Sequence, residues 1–232
     1  MDHETDSFAA DIKEKGWALT RPLLSSEEVV ALRDAMTVVA VDGRGGARNI
    51  LDRSEVRELA AHAALRALAT SVLGKSCFAV RALFFDKTPT SNWKVVWHQD
   101  LTIATAVRAD VPGFGPWTEK AGVPHVQPPM RVLEEMMAIR VHLDACTAEN
   151  GPVRVLDGTH HLGRLSAGAI DELRAAKPER ECLVEEGAIL AFRPLLLHAS
   201  APSITPRHRR VIHIEYAAHD LPSPLTWHRT VA

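Results

Sequence analysis

The sequence contains one group of residues whose types and spacing suit metal chemistry: His98, Asp100 and His198. In an extended chain, alternate side chains lie on one face, so the imidazole of His98 and the carboxylate of Asp100 would point the same way, with Gln99 turned away. His198 ends the apolar run 188–198 and is the natural third ligand. Two histidines and one carboxylate can hold Fe(II) on three positions and leave the others open for substrate and oxygen.

An arginine on the last predicted strand extends this hypothesis. If 2-oxoglutarate chelates such an iron through its 1-carboxylate and 2-oxo oxygens, its distal carboxylate needs a buried partner, and the planar fork of arginine suits that task. Alternation along the strand places Arg209 with His213 on one face and Arg210 with Ile212 on the other. We therefore predict that Arg209, rather than Arg210, binds this carboxylate.

Two other interpretations of these residues stay open at the level of sequence. A cupin-like metalloenzyme could use the three ligands with Zn, Mn or Ni in isomerisation or hydrolysis, although such an enzyme would have no need of Arg209. A catalytically idle relative could keep the fold as a small-molecule sensor or partner-binding module, although the intact ligands argue against it. His160 and His161 suggest a second metal site, but adjacent histidines on a turn are more often surface residues.

Length, composition and charge limit the remaining classes of function. The 232 residues fit one domain, and a formal net charge of −2 shows no basic surplus for nucleic acid or an anionic membrane. Three scattered cysteines do not make a disulfide framework, and no apolar stretch is long enough to cross a bilayer. We therefore expect a cytoplasmic protein that acts on a small molecule, as a monomer or a homodimer, without nucleic-acid or membrane partners.

The pattern of elements places helices before strands. Ser25 and Glu28 form a capping-box pattern ahead of one amphipathic helix, and Ser54 could cap a second helical region that ends at Gly74. Between them, residues 42–49 form a turn-rich link without the spacing of a phosphate-binding loop. Seven or eight short strands follow. We therefore predict a mainly β fold, an antiparallel sandwich or barrel with the helices packed outside.

The single predicted domain has three parts. A helical N-terminal part covers about 8–74, and a β core covers about 76–220. Within the core, residues 107–130 are rich in proline and glycine and leave directly from the strand of His98. Long loops inside compact domains are usually functional, so we predict that this segment is a lid.

The order of the short motifs resembles the phytanoyl-CoA dioxygenase family of Fe(II)/2-oxoglutarate oxygenases. The motifs are His98-Gln99-Asp100, Asn150-Gly151-Pro152, Gly158-Thr159-His160, His198-Ala199-Ser200 and Arg209, and the match covers roughly residues 25–216. The resemblance implies a double-stranded β-helix, a jelly-roll core of the cupin-like type. It also implies hydroxylation of an unactivated C–H bond in a small-molecule metabolite, with Fe(II), 2-oxoglutarate and O2 as the cofactor and cosubstrates and with succinate and CO2 as coproducts.

Carried over to this sequence, the resemblance implies that His98, Asp100 and His198 bind the iron. Arg209, helped by Ser200, would hold the distal carboxylate of 2-oxoglutarate. Relatives that halogenate lack the carboxylate and put a halide in its place, so the resemblance implies a hydroxylase rather than a halogenase.

Further residues would surround these groups. By the same resemblance, Leu83 would line the cosubstrate, and Arg140 stands where relatives often have a cosubstrate-contacting tryptophan. Arg48 could replace a basic residue that relatives place before the second helical region. The residues that could contact the substrate are Lys87, Trp93, Trp117, His125, Gln127 and His142.

Overall fold

The computed structural model describes residues 2–39, 46–205 and 207–232, and within these ranges it contains six α-helices and thirteen β-strands. The helices are α1 (Asp2–Glu14), α2 (Ser26–Thr37), α3 (Ser54–Ala60), α4 (Ala63–Leu73), α5 (Met130–Glu134) and α6 (Ala167–Ala176). The strands are β1 (Trp17–Leu19), β2 (Gly46–Ala47), β3 (Phe78–Lys87), β4 (Val95–His98), β5 (Ile103–Ala104), β6 (Trp117–Lys120), β7 (Val123–Val126), β8 (Met136–His142), β9 (Val153–Val155), β10 (Arg180–Cys182), β11 (Ile189–Phe192), β12 (His198–Ser200) and β13 (Arg209–Ala217). Among the described helices, none combines the length and the apolar character needed to cross a bilayer.

The strands of the described ranges form three sheets, and all the paired strands are antiparallel. The largest sheet has the order β1-β11-β8-β13-β3-β2, the second has the order β10-β9-β12-β4, and the small third sheet has the order β5-β7-β6. Side chains from the first two sheets line one shared cavity, so these two sheets face each other. This is the antiparallel sandwich that the strand pattern predicts.

The six-stranded sheet is buried on both faces. On β8, Met137, Ile139 and Val141 belong to the hydrophobic core formed with α1 to α4, whereas Ala138 and Arg140 point to the space between the sheets. This division follows from the two-residue period of a strand. The helices therefore cover the outer face, and the inner face is left to carry polar groups.

The predicted capping box starts α2. The amide of Glu28 donates to the Ser25 hydroxyl over 3.2 Å, and the amide of Ser25 donates to the Glu28 carboxylate over 2.7 Å. Val29, Leu32 and Met36 then form the buried stripe of the helix. A cap of this kind contributes about 1 kcal/mol, so α2 has a local signal for its start as well as an apolar face.

Two helical features differ from the sequence prediction. The first is α1, which occupies what the sequence presents only as an entry segment, because its buried side chains are mainly Phe8 and Ile12 and give a weak periodic signal. The second is the region 54–74, which contains two helices. Ser54 is the first residue of α3 and not its cap, while the ring of His62 accepts from the amide of Ala64 and caps a separate α4.

The predicted lid, residues 107–130, contains most of the small third sheet. Strands β6 and β7 form a hairpin, and its two turn residues, Ala121 and Gly122, have φ of 52° and 75°, as a tight hairpin turn of this hand requires. The segment is therefore more regular than its composition indicates, and its role as a lid stays a prediction. The turn-rich link predicted at 42–49 is described only from Gly46, where β2 joins the edge of the large sheet.

The buried hydroxyl of Tyr216 connects the large sheet to the helices, because it donates to the carbonyl of Ala60 over 2.8 Å. We expect Tyr216→Phe to lower the free energy of unfolding by roughly 1–3 kcal/mol, since it leaves a buried acceptor without its donor. Urea denaturation measures this change. Metal affinity should stay the same, because Tyr216 lies on the outer face of the sheet, and a loss of metal binding would contradict that placement.

Candidate metal centre

Three side chains that can bind a metal converge between the two large sheets. His98 ends β4, Asp100 follows two residues later, and His198 begins β12. Their ligand atoms lie within 4.8 Å of one another. The Nε2 atom of each histidine is 3.6 Å from an Asp100 carboxylate oxygen, which is too long for a hydrogen bond. The three groups therefore surround a common point, as the ligands of one ion would.

Strand pairing sets the positions of the two histidines. β12 and β4 are antiparallel neighbours in which His198 lies opposite His98, with 4.2 Å between the ring centroids. The extended strand predicted through Asp100 is wrong at its end, because β4 stops at His98. The amide of Asp100 donates instead to the carbonyl of Pro194 over 2.8 Å. This bond fixes the backbone at Asp100 after the strand has ended.

The backbone orients both imidazole rings. The Nδ1 atom of His98 lies 2.8 Å from the carbonyl oxygen of Val96, and that of His198 lies 2.9 Å from the carbonyl oxygen of Leu196. Because a carbonyl can only accept, Nδ1 carries the proton in each neutral ring, and the lone pair of Nε2 is available to a metal.

The protonation states of Asp100 and His198 suit metal binding, whereas His98 has to give up a proton more readily held than usual. Burial acts to raise the pKa of Asp100, but the imidazoles of His198 and His98 outweigh it and hold the pKa of the carboxyl well below its usual value. Burial lowers the pKa of His198 to about 4. Burial also opposes the charged form of His98, but Asp100 more than offsets this and raises the pKa of that ring. An ionised carboxylate and a neutral buried imidazole are the protonation states that metal ligands need.

Gln99, the residue between two of the ligands, fixes the loop that carries them. Its side-chain amide donates to the carbonyls of Gly163 and Leu195 over 2.7 Å each, and its oxygen accepts from the amide of Leu165 over 2.9 Å. Its side chain thus binds backbone groups, although Gln99 also lines the cavity between the two large sheets. The sequence does not reveal the three bonds, because their partners are backbone groups far along the chain.

The triad opens into a cavity of about 460 Å³, which lies in the size range of small-molecule sites. Besides the triad, the four residues predicted to lie around the cosubstrate line this cavity: Leu83, Arg140, Ser200 and Arg209. They come from β3, β8, β12 and β13, so both large sheets contribute to the wall.

Arg209 is 3% exposed and reaches the cavity from the start of β13. Its Nη1 atom donates to the carbonyl of Gly151, while its buried Nε atom has no hydrogen-bond partner within the described part of the chain. Gly151 has a φ of 72°, and a side chain there would collide with the carbonyl of Ala201, so this turn requires glycine. Arg210 is absent from the cavity wall and binds Asp144 through two bonds of 2.7 and 2.8 Å.

Two further buried cations lie near Arg209. Lys87 is its cross-strand neighbour on β3, with Nζ 3.5 Å from the hydroxyl of Ser200. Arg140 has its Nη1 atom 3.4 Å from Nδ1 of His213. Burial, followed by the charges of Arg209 and Arg140, lowers the pKa of Lys87 to about 7. Arg140 and Arg209 therefore make this part of the cavity wall positive, so that it suits an anionic ligand, whereas Lys87 lies next to Arg209 and is not part of the wall.

Several predicted substrate residues lie away from this cavity. His142 is buried on β8, and within the described residues neither of its ring nitrogens has a hydrogen-bond partner. Trp117 and His125 lie on the β6–β7 hairpin and Gln127 follows it, and none of the three is in the cavity wall. Trp93 does line the cavity. Substrate contact by these residues stays a prediction.

The sequence analysis missed a second polar group on the cavity wall. Arg81 forms an ion pair with Glu215, and Nε2 of His213 lies 3.4 Å from the same carboxylate oxygen. Arg81 stands two residues before Leu83, and Glu215 stands two residues after His213. The two-residue period of a strand that places Leu83 and His213 on the inner face therefore also places Arg81 and Glu215 there. A charged residue inside an apolar strand was the available signal.

A family model described as phytanoyl-CoA dioxygenase matches residues 12–211 of the chain. The chain belongs to the phytanoyl-CoA dioxygenase family. This membership, together with the triad of His98, Asp100 and His198, confirms the predicted family and the predicted cofactors, iron and 2-oxoglutarate. No curated sequence matches the chain.

Solved structures share the fold of this phytanoyl-CoA dioxygenase family member. EctD from S. alaskensis, with 2-oxoglutarate and 5-hydroxyectoine, is 21% identical, with a TM-score of 0.69 and coverage of 90% of this chain and 74% of that chain. The alpha-ketoglutarate-dependent carbocyclase SnoK from nogalamycin biosynthesis is 15% identical, with a TM-score of 0.69 and coverage of 92% and 84%. The epimerase SnoN, in complex with Fe3+, alpha ketoglutarate and nogalamycin RO, is 15% identical, with a TM-score of 0.70 and coverage of 97% and 92%. These similarities confirm the predicted double-stranded β-helix.

The first prediction from this site concerns Gln99. We expect Gln99→Leu to weaken metal binding by roughly 10- to 100-fold, because the loop between two ligands loses the bonds that orient it. Equilibrium dialysis against Fe(II) under anaerobic conditions measures the affinity, and circular dichroism checks that the variant is folded. If the variant is less stable but binds metal with the original affinity, Gln99 supports only the fold.

The second prediction concerns Lys87. Its pKa is lower in the folded protein than in the unfolded chain, so between pH 7 and about 10.5 the unfolded chain binds more protons and stability should rise with pH. The contribution is at most about 1.4 kcal/mol per pH unit. Urea denaturation of the metal-free protein between pH 7.5 and 9.5 should show a smaller slope for Lys87→Met, and the exposed Lys94→Met is the matched control. If the free energy of unfolding changes equally with pH in all three proteins, the pKa of Lys87 is not lowered in the folded protein.

Proposed function

We propose that this protein hydroxylates an unactivated C–H bond of a small-molecule metabolite, using Fe(II), 2-oxoglutarate and O2, with succinate and CO2 as coproducts. The proposal rests mainly on one observation: the triad of His98, Asp100 and His198 shares a cavity with the buried guanidinium of Arg209. The triad alone would suit several metals, whereas a buried arginine beside it suits a cosubstrate with a second carboxylate.

The donor set of the triad fits Fe(II). Two neutral imidazoles and one carboxylate occupy one side of the ion and compensate part of its charge, which leaves positions for a chelating cosubstrate and for oxygen. The ligand atoms converge, and both Nε2 atoms are kept available by the carbonyls that bind Nδ1. In this proposal His98, Asp100 and His198 hold the iron.

The inner, positive part of the cavity fits 2-oxoglutarate. Arg209 is buried with its Nε atom unpaired within the described residues, and an unpaired buried donor is costly unless a ligand satisfies it. Ser200 lies on β12 of the facing sheet and can add a hydroxyl donor, and Arg140 adds positive charge to the wall. The Nζ atom of Lys87 lies 3.5 Å from the Ser200 hydroxyl. In this proposal Arg209, with Ser200, holds the distal carboxylate.

When bound together, iron and 2-oxoglutarate activate O2 for attack on an unactivated C–H bond. The residues of the chain supply the rest: they orient the cosubstrate, place the target carbon near the open face of the triad and exclude water. Leu83 and Phe85 give the wall between the two large sheets its apolar part. The presence of Asp100 favours hydroxylation over halogenation, because the carboxylate occupies the position that a halide would need.

A second candidate outcome is attack on a C–H bond without insertion of oxygen. It is favoured by two proteins of the same fold, SnoK and SnoN, which are a carbocyclase and an epimerase. The two outcomes differ in the product, since hydroxylation places one atom of O2 in it and epimerisation or ring closure does not. Mass spectrometry after turnover under ¹⁸O2 separates them once a substrate is in hand.

The third prediction tests the metal and the cosubstrate together. Anaerobic addition of Fe(II) and 2-oxoglutarate to the metal-free protein should produce the weak visible charge-transfer band of the chelate. Asp100→Ala should show no band. Arg209→Met should need at least roughly 30-fold more 2-oxoglutarate, because a buried carboxylate loses its charged partner. Arg210→Met is the matched control, since Arg210 is the next residue of β13 and binds Asp144 outside the cavity.

Admission of O2 to the same samples gives a second readout, the formation of succinate. Wild type and Arg210→Met should form it, and Asp100→Ala should not. A protein that binds iron but shows neither band nor succinate would favour the cupin-like or idle interpretation. An unchanged requirement for 2-oxoglutarate in Arg209→Met would show that another cation holds the distal carboxylate.

A further inference from the structure

We infer that the part of the cavity lined by Arg81 and Lys120 is an anion-binding subsite for the substrate, so that the substrate is a small molecule with a carboxylate, phosphate or similar anionic group. This inference rests on the proposed function, because it assigns the remaining positive charge of the same cavity. The arginine proposed for 2-oxoglutarate, Arg209, lies elsewhere on the wall and is not part of this subsite.

The balance of charge in the cavity is the first observation. Among the described residues, its wall carries five cationic side chains and two carboxylates, which leaves an excess of three positive charges; the cations are Arg48, Arg81, Lys120, Arg140 and Arg209, and the carboxylates are Asp100 and Glu215. A divalent metal and the two carboxylates of 2-oxoglutarate cancel each other. The excess therefore persists after both have bound, and it favours an anionic substrate over a neutral one.

Arg81 is the fixed part of the subsite. Its side chain is 10% exposed, and its Nη2 atom donates to Glu215, which is itself buried and also faces His213. The Nε and Nη1 atoms of Arg81 are buried without a hydrogen-bond partner in the described ranges. Glu215 thus orients the guanidinium of Arg81, and the Nε and Nη1 atoms of that guanidinium remain for a ligand. An anion is the ligand that best satisfies these two donors.

Lys120 approaches the same space from the β6–β7 hairpin. Its Nζ atom donates to the hydroxyl of Thr102 over 2.9 Å, and both residues line the cavity. Burial lowers the pKa of Lys120, and the positive charges of Arg81 and Arg48 lower it further, whereas the carboxylates of Asp100 and Glu215 act in the opposite direction. A bound anion would relieve this repulsion.

The hairpin tip is held against the segment that carries Arg48. The side-chain amide of Asn49 donates to the carbonyl of Ala121, in the turn directly after Lys120, over 3.3 Å. Arg48, Lys120 and Trp93 also line a neighbouring space of about 390 Å³, which extends the subsite away from the triad. Cations from three separate chain segments therefore meet at one place, and the substrate would lie between this place and the metal.

Phosphate serves as the probe for the subsite. The protein is first loaded with Ni(II), which binds nitrogen and oxygen ligands more tightly than Fe(II), and with 2-oxoglutarate, so that the inner positions are filled. Isothermal titration with inorganic phosphate should give saturable binding to wild type. Lys120→Met should weaken it roughly tenfold, as expected for the loss of one hydrogen bond between charged groups.

Arg81 is tested with a variant designed to fold. Arg81→Met alone would leave Glu215 as an unpaired buried charge, so the double variant Arg81→Met/Glu215→Gln removes both charges together. It should also bind phosphate roughly tenfold more weakly. Lys94→Met and Arg131→Met, two exposed residues outside the cavity wall, are the matched controls and should bind like wild type. Thermal denaturation confirms that all variants are folded.

The outcomes separate this inference from the proposed function. If the iron and 2-oxoglutarate band forms but phosphate does not bind, or binds equally to all variants, the anion subsite is wrong and the proposed function stands. If no band forms, the same titration of the metal-free protein still decides whether Lys120 and Arg81 bind an anion. Weaker binding in these two variants and not in the controls supports the subsite in either case.

Discussion

The register between β4 and β12 is the constraint on which the rest of the site depends. β12 has only three residues but is paired on both sides, with His198 opposite His98 of β4 and opposite Val155 of β9. A slip of one residue would turn His198 to the other face of the sheet and remove it from the triad. The long-range pairing of the sandwich, more than any local preference, therefore makes two distant histidines neighbours.

The second organising feature is positive charge inside the sandwich. Burying Lys87, Arg140 and Arg209 near one another is unfavourable, and burial lowers the pKa of all three. The fold satisfies part of their donors with backbone carbonyls such as that of Gly151, which cannot neutralise the charge. An anion that binds only the folded protein recovers this cost, so ligand binding and stability are coupled in this cavity.

Much of the site could be predicted because it follows short periods along the chain. The two-residue period of strands predicted Arg209 rather than Arg210 on the cavity wall, and the capping box predicted the start of α2. The meeting of His98 and Asp100 does not follow from this period, because β4 ends at His98. What the sequence could not give depends on partners far along the chain. The bond from Asp100 to Pro194 and the cavity wall around Arg81 are of this kind, because they exist only once the sheets have paired.

The carbonyl groups that hold the two metal-binding rings have a consequence for how such a site can diversify. The rings of His98 and His198 are each oriented by a main-chain oxygen two residues earlier on the same segment. A main-chain oxygen is present whatever side chain its residue carries, so mutation of the surrounding residues does not abolish it. The cavity wall can therefore change through evolution and accept new substrates, while the backbone of the strands keeps the orientation of the two imidazole rings.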